Sequence, residues 1–302
     1  MTSRVVVAVI VPGLQVQAWI AGLRSAVEAA GWVYHEDWGE AWIRPAESNC
    51  FVVSWTDVLP QGDAVVVVVG GVDDAVAGCA AFYQLSEADG RRLASARLAG
   101  ASDLIAGGAL VLRPDRLNYI PGIGDIPELQ GKVAPSPNSP LAFYETLPPS
   151  IGASASWTAD LMWEGQDPIR PAAEGAIDLT GRARLLRFGP FLTLPQGFWQ
   201  VDVDLTIEVE TTRLLLTADW GVGLDLETLD LSIEQSGRYQ LSLVREWRSP
   251  GLAQFRLALK RAVFSGRLNV EQIVCRRVVS PDCASMASEI RSSTLSIGEM
   301  SA

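Results

Sequence analysis

The stretch Val201-Asp-Val-Asp-Leu-Thr-Ile-Glu-Val209 alternates apolar and polar residues without a break. Successive side chains on an extended strand point to opposite faces. Val201, Val203, Leu205, Ile207 and Val209 therefore share one face, and Asp202, Asp204, Thr206 and Glu208 the other. A helix would scatter the same apolar residues around its circumference. The stretch reads as a half-buried antiparallel strand whose register is set by the face it must bury. The same period recurs outward from it over residues 213–219, 230–235, 239–247, 254–263 and 268–277, with short links between. Short strands in such a series predict an antiparallel β-sandwich over residues 181–279.

The front of the chain has another texture. Val5, Val6, Val7, Val9, Ile10 and Val11 form a continuous apolar run, as a strand covered on both faces requires. Leu14, Ala18, Leu23, Val27 and Ala30 then recur at helical spacing, and Gly31 is placed to end that helix. Residues 50–55 and 64–69 read as further strands, the second followed by Gly70-Gly71. Asp73 or Asp74 can cap a helix over 75–84, and Ser86 with Asp89 resembles a capping box for a helix over 87–98. Residues 109–112 make a last strand. Alternating β and α elements predict a small three-layer α/β domain with a largely parallel sheet over residues 1–117. The expected fold class is thus α/β plus all-β.

Between these parts, residues 118–180 hold Pro121, Pro127, Pro135, Pro137, Pro140, Pro148 and Pro149. Proline removes a backbone donor and fixes φ, so 118–180 reads as an extended connector lying along a surface through Ile120, Ile123, Ile126 and Phe143. Residues 280–302 are small and polar and read as a flexible tail. The segment 32–44 reads as a loop rich in aromatics and acids. It holds the single histidine, His35, beside Glu36 and Asp37.

The 302 residues are 48% hydrophobic and 20% charged, a globular composition, and the net charge of −11 would repel a phosphate backbone. Nucleic acid is therefore excluded as an expected partner. Of four cysteines, Cys50 and Cys79 sit in apolar stretches, and none forms a CxxC pair. The opening valine run lacks a cleavage site behind it, and no stretch reaches the roughly 18 apolar residues of a membrane span. The expectation is a chain without signal peptide or membrane span, cytoplasmic or incorporated in a phage-like particle.

Phe188-Gly-Pro-Phe-Leu-Thr-Leu-Pro-Gln-Gly-Phe-Trp-Gln-Val-Asp-Val203 has a recognisable order: Gly189-Pro190-aromatic, then Leu194-Pro195-x-Gly197-aromatic-aromatic, then an alternating strand. It resembles the carbohydrate-binding-like β-sandwich appended to bacterial glycosyltransferases and polysaccharide-synthesis proteins. Pro195-x-Gly197 reads as a tight turn between strands, and Gly189-Pro190 as a break in the preceding strand.

Three function classes fit these residues. The first is a non-catalytic carbohydrate-binding or accessory protein in a bacterial polysaccharide or capsule setting, including a receptor-binding spike of a phage-like particle. Its candidate residues are Trp38 and Trp42, flanked by acids, and Trp220 and Trp247 near strand ends, because indole faces stack on sugar rings. The second is a reduced nucleotide-sugar glycosyltransferase. There Asp73 and Asp74, behind the Gly70-Gly71 turn, would hold a divalent metal. Helix capping is the simpler role for that pair, and no complete catalytic motif accompanies them. The third is a structural subunit whose 118–180 segment docks on a neighbouring chain. The leading expectation is a glycan partner, no enzyme activity and no cofactor.

Overall fold

The computed structural model describes residues 3–37, 48–55, 61–129, 134–165, 170–172, 175–209, 213–280 and 289–293. The chain forms two compact units, Met1–Pro149 and Ser150–Ala302.

The first unit contains β1 (Val5–Ile10), α1 (Val16–Ala29), β2 (Val33–Asp37), β3 (Cys50–Ser54), β4 (Ala64–Val68), α2 (Val72–Tyr83), α3 (Glu87–Ala106), β5 (Leu110–Leu112), β6 (Asn118–Ile120) and β7 (Gly124–Ile126). Its five-stranded sheet is parallel, in the order β2-β3-β1-β4-β5. Every residue of β1 and β3 is buried, the pattern of parallel strands covered on both faces. Trp19, Leu23 and Val27 of α1 join Val6, Ala8, Ile10, Phe51 and Val53 in one core. Ser86 caps α3, accepting the Asp89 N–H at 3.2 Å.

Two expectations change in this unit. His35 lies in β2, not in a loop. Among the described residues that strand pairs only with β3, so it tolerates exposed polar residues that hide its strand character in the sequence. The opening of the supposed connector is part of this unit: β6 and β7 pair as a hairpin whose Ile120 and Ile126 are buried in the core with α1. The Trp32 indole N–H donates to the Gly122 carbonyl at 3.1 Å, tying the hairpin down.

The second unit contains β8 (Ser154–Trp157), β9 (Trp163–Glu164), β10 (Arg170–Pro171), β11 (Ile177–Asp178), β12 (Arg184–Leu194), β13 (Gly197–Glu208), β14 (Leu214–Val222), β15 (Asp225–Ile233), β16 (Gly237–Trp247), β17 (Gly251–Leu259), β18 (Arg267–Val278) and β19 (Glu289–Ser293). One sheet runs β10-β9-β12-β17-β14-β15 and the other β11-β18-β13-β16-β19, with β8 also pairing β18. All pairings are antiparallel. In β13 the alternation is realised residue by residue: Trp199, Val201, Val203, Leu205 and Ile207 are buried, while the residues between reach solvent.

The sheets pack face to face. Trp220 of β14 lies 4.9 Å from the Trp247 ring of β16 and 5.9 Å from the Trp157 ring of β8. Its indole N–H donates to the Trp199 carbonyl at 3.2 Å, and the Trp199 indole donates to the Pro195 carbonyl at 3.0 Å. These tryptophans supply the bulk of the interior, each contributing on the order of 2–3 kcal/mol by burial.

Here too the structure corrects the sequence reading. Gly189-Pro190 does not end a strand: β12 continues to Leu194, with a bulge between Pro190 and Leu192 absorbing Phe191 at φ 62°. Residues 154–178, expected in the connector, add β8 to β11 to the sheets. Residues 289–293, expected in the tail, pair with β16 as β19 and cover its edge. Among the described residues no helix is long and apolar enough to cross a membrane.

Candidate functional site

Trp38 and Trp42 lie outside the described residues. Trp220 and Trp247 are 0% and 2% exposed, so neither presents a face to a sugar. They sit on the inward side of their strands and belong to the core, which corrects their expected role.

Asp73 and Asp74 fall in the first turn of α2, behind the Gly71 N-cap. Asp74 Oδ1 accepts the Leu14 N–H at 3.1 Å and so holds the turn after β1. The carboxyl ends of β1 and β4 are where an open α/β sheet would receive a ligand. Here the space is filled from within. A Cβ on Gly13 would meet Asp74 Oδ2 at 2.1 Å and the Trp19 ring at 2.4 Å, and one on Gly70 would meet the same groups at 2.9 and 3.3 Å. Among the described residues no three metal-ligating side chains converge. Asp74 thus takes part in the packing of the β1–α1 and β4–α2 turns, whereas Asp73 is exposed on the first turn of α2.

The second unit builds a more open site. The outer edge of β18 is covered at one end by β11, opposite Arg267 and Leu268, and at the other by β8, opposite Ile273 to Arg276. Among the described residues, Asn269 to Gln272 have no strand against that edge. A bulge falls in the same place: Asp204 pairs with Gln272 and Leu205 with Val270, leaving Glu271 as the extra residue. Bulges bend a strand and re-aim its side chains, and they recur beside binding sites. A cleft of about 550 Å³ opens at this gap. Trp157 and Ser156 of β8 form one wall, and Asn269 to Ile273 of β18 another.

Arg187 reaches the cleft from inside the sandwich. A second bulge, between Leu185 and Arg187, inserts Leu186 into β12 and turns Arg187 inward opposite the buried Leu257. Its guanidinium pairs with Glu164 of β9 at 3.1 Å, with side chains only 3% and 14% exposed. Burial lowers the Arg187 pKa, and the Glu164 charge works against that shift. A charge so desolvated persists only because it is paired.

Asp204 joins the cleft from the outer face of the second sheet, whose polar residues are already held in place. Asp204 accepts the Gln240 amide at 3.1 Å, and Asp202 accepts Gln200 at 2.7 Å and Ser242 at 2.8 Å. Side chains fixed by neighbours lose little entropy on binding. The carboxylates and amides along the gap can hydrogen-bond hydroxyl groups, while the Trp157 indole at its floor is 2% exposed and packs on Trp220. Sequence reading passed over this site, because Asn269-Val-Glu-Gln looks like plain strand and Arg187 like one polar residue among many.

Neither a family model nor a curated protein matches this chain. Among solved structures, it is similar to a galactotriose complex of the module TmCBM61, at 11% identity and a TM-score of 0.27, covering 35% of this chain and 74% of the other. It is also similar to the xylan-binding module CBM15, at 6% identity and a TM-score of 0.28, covering 43% of this chain and 99% of the other. A third similarity is to the glycosylation-associated protein complex Gap123 of Streptococcus agalactiae, at 11% identity and a TM-score of 0.30. It covers 82% of this chain but only 49% of that one. At such TM-scores none of these likenesses bears on function, and the chemistry open to the cleft rests on its own residues.

Proposed function

We propose that the second unit binds carbohydrate without catalysis, in the cleft at the β18 edge. The observation behind this reading is the coincidence of three features: the unpaired stretch Asn269–Gln272, the bulge at Glu271, and a cavity of about 550 Å³ lined by Trp157, Arg187 and Asp204. A cavity of that size suits a small ligand of a few sugar rings. The hydrogen-bonded Asp202, Asp204, Gln240 and Ser242 on the adjoining sheet face would extend the contact along a chain. We propose bacterial capsular or other surface polysaccharide as the setting, in keeping with the resemblance around residues 188–203. Protein contact through residues 118–180 and carriage on a phage-like particle belong to the same proposal.

Calorimetric titration with a panel of bacterial oligosaccharides tests it. Saturable binding that is lost when the cleft is filled by Gln272→Trp, with the far-ultraviolet spectrum unchanged, supports the proposal. Absence of heat for every sugar at millimolar concentration refutes it.

A further inference from the structure

The charge of the cleft narrows the class of sugar. Arg187 is neutralised by Glu164, so it offers little net positive charge to a ligand. Asp204 and Glu271 line the same cavity. Their carboxylates accept the neutral amides of Gln240, at 3.1 Å, and Asn269, at 2.8 Å. Neither meets a cation among the described residues. The Arg276 guanidinium, on the same sheet face, is directed to Asp202 at 3.7 Å. The cavity therefore presents two uncompensated carboxylates above an internally paired arginine, within a chain of net charge −11.

Two carboxylates suffice to attract an ammonium group but fall short of a metal-binding set, consistent with the absence of a three-ligand cluster among the described residues. A uronic acid or a phosphorylated sugar would bring like charge into a concave space, where the field is focused and repulsion strongest. An N-acetylated sugar would bury its amide without gaining a charge partner.

We propose that the cleft selects an amino sugar carrying a free ammonium, held between Asp204 and Glu271, and discriminates against acidic sugars. This rests on the reading of the cleft as a glycan site.

The test compares three oligosaccharides of equal length by calorimetry at low ionic strength: glucosamine, N-acetylglucosamine and glucuronic acid oligomers. Glucosamine oligomers should bind about two- to five-fold tighter than their N-acetylated counterparts, the ratio that one partly exposed ion pair supplies, and salt should erode the difference. Glu271→Gln and Asp204→Asn should each shrink the ratio of glucosamine to N-acetylglucosamine affinity. Glu271 is exposed, and Asn keeps the hydrogen-bond geometry of Asp204, so both variants should fold. Equal affinity for amine and acetamide, or preference for the uronic acid, with binding still blocked by Gln272→Trp, overturns the charge selection and leaves the glycan site standing. Failure of all three oligomers and of the wider sugar panel overturns the underlying reading as well.

Discussion

Glu164→Gln should be among the most damaging single substitutions at the periphery of the sandwich. The change removes one negative charge while keeping the shape of the side chain. It takes the Glu164 counter-charge away from the Arg187 guanidinium, which is 3% exposed and turned inward by the bulge at Leu186. Breaking a buried pair costs on the order of 3–5 kcal/mol, because the remaining charge stays desolvated. Glu164 keeps some contact with water, at 14% exposed, so a cost near the lower figure, about 3 kcal/mol, is expected. With an m-value of about 2 kcal/mol/M in urea, the midpoint of the second unit should fall by about 1.5 M. The tryptophan emission of the Trp157, Trp220 and Trp247 cluster reports that unit. Adding Arg187→Met should restore most of the loss, since the double variant buries no unpaired charge. A cost below about 0.5 kcal/mol for Glu164→Gln, as for a surface pair, would refute the reasoning. So would a double variant as unstable as the two single costs combined.

The same geometry yields further expectations. Trp220→Ala should cost about 3–5 kcal/mol and blur the near-ultraviolet signal of the cluster, as core truncations do, whereas Trp220→Phe should keep the fold and any sugar affinity. If Trp220→Phe instead abolishes binding in a folded protein, the core assignment fails. Gly78→Ala would ordinarily favour a helix by up to about 1 kcal/mol. Here the new Cβ would meet the Gly13 Cα and the Pro12 carbonyl at 2.4 Å, so thermal melting should show a loss of about 1–3 kcal/mol. Burial pushes the Cys79 thiol up to about 12, opposed in part by Arg97. The folded value exceeds the unfolded one, so its stabilising effect is complete below about pH 8.5 and is lost as pH rises toward 12. In a Cys283→Ser background, Cys50, Cys79 and Cys275 should resist a disulfide-exchange reagent at pH 8 until the protein is unfolded. Rapid native-state labelling would contradict that burial.

Regular alternation made much of the second unit legible. β13 follows the pattern of Val201 to Glu208 closely, and the valine runs of β1 and β4 correspond to parallel strands of a sheet. Elements were missed where local pattern and environment part company. In β2, the exposed Val33 and His35 alternate with residues that pack on a single neighbour, and the polar set masks the strand. The four short strands β8 to β11 span two to four residues each, too few for any period to emerge. Gly189-Pro190 signalled a break, but a bulge at Phe191 lets the strand carry on.

The cleft was hidden for a related reason. It depends on two register shifts, at Leu186 and Glu271, which change the facing of the residues that follow them, in β12 only as far as the next shift at Phe191. Neither shift has a local signature such as glycine at the bulge. The indoles at positions 220 and 247 drew attention through residue type, yet alternation within their own strands already placed them with Ala218 and Leu243 on the buried face.

The central claim is that glycan binds at the β18 gap of the second unit. Its most direct test is a two-dimensional ¹H–¹⁵N titration of the labelled full chain with the best-binding oligosaccharide. The account predicts progressive shifts of the Asn269, Val270, Glu271 and Gln272 amides and of the Trp157 indole N–H, while the Trp19 indole of the first unit stays still. Shifts confined to other surfaces, or a spectrum unmoved at saturating sugar, would contradict it.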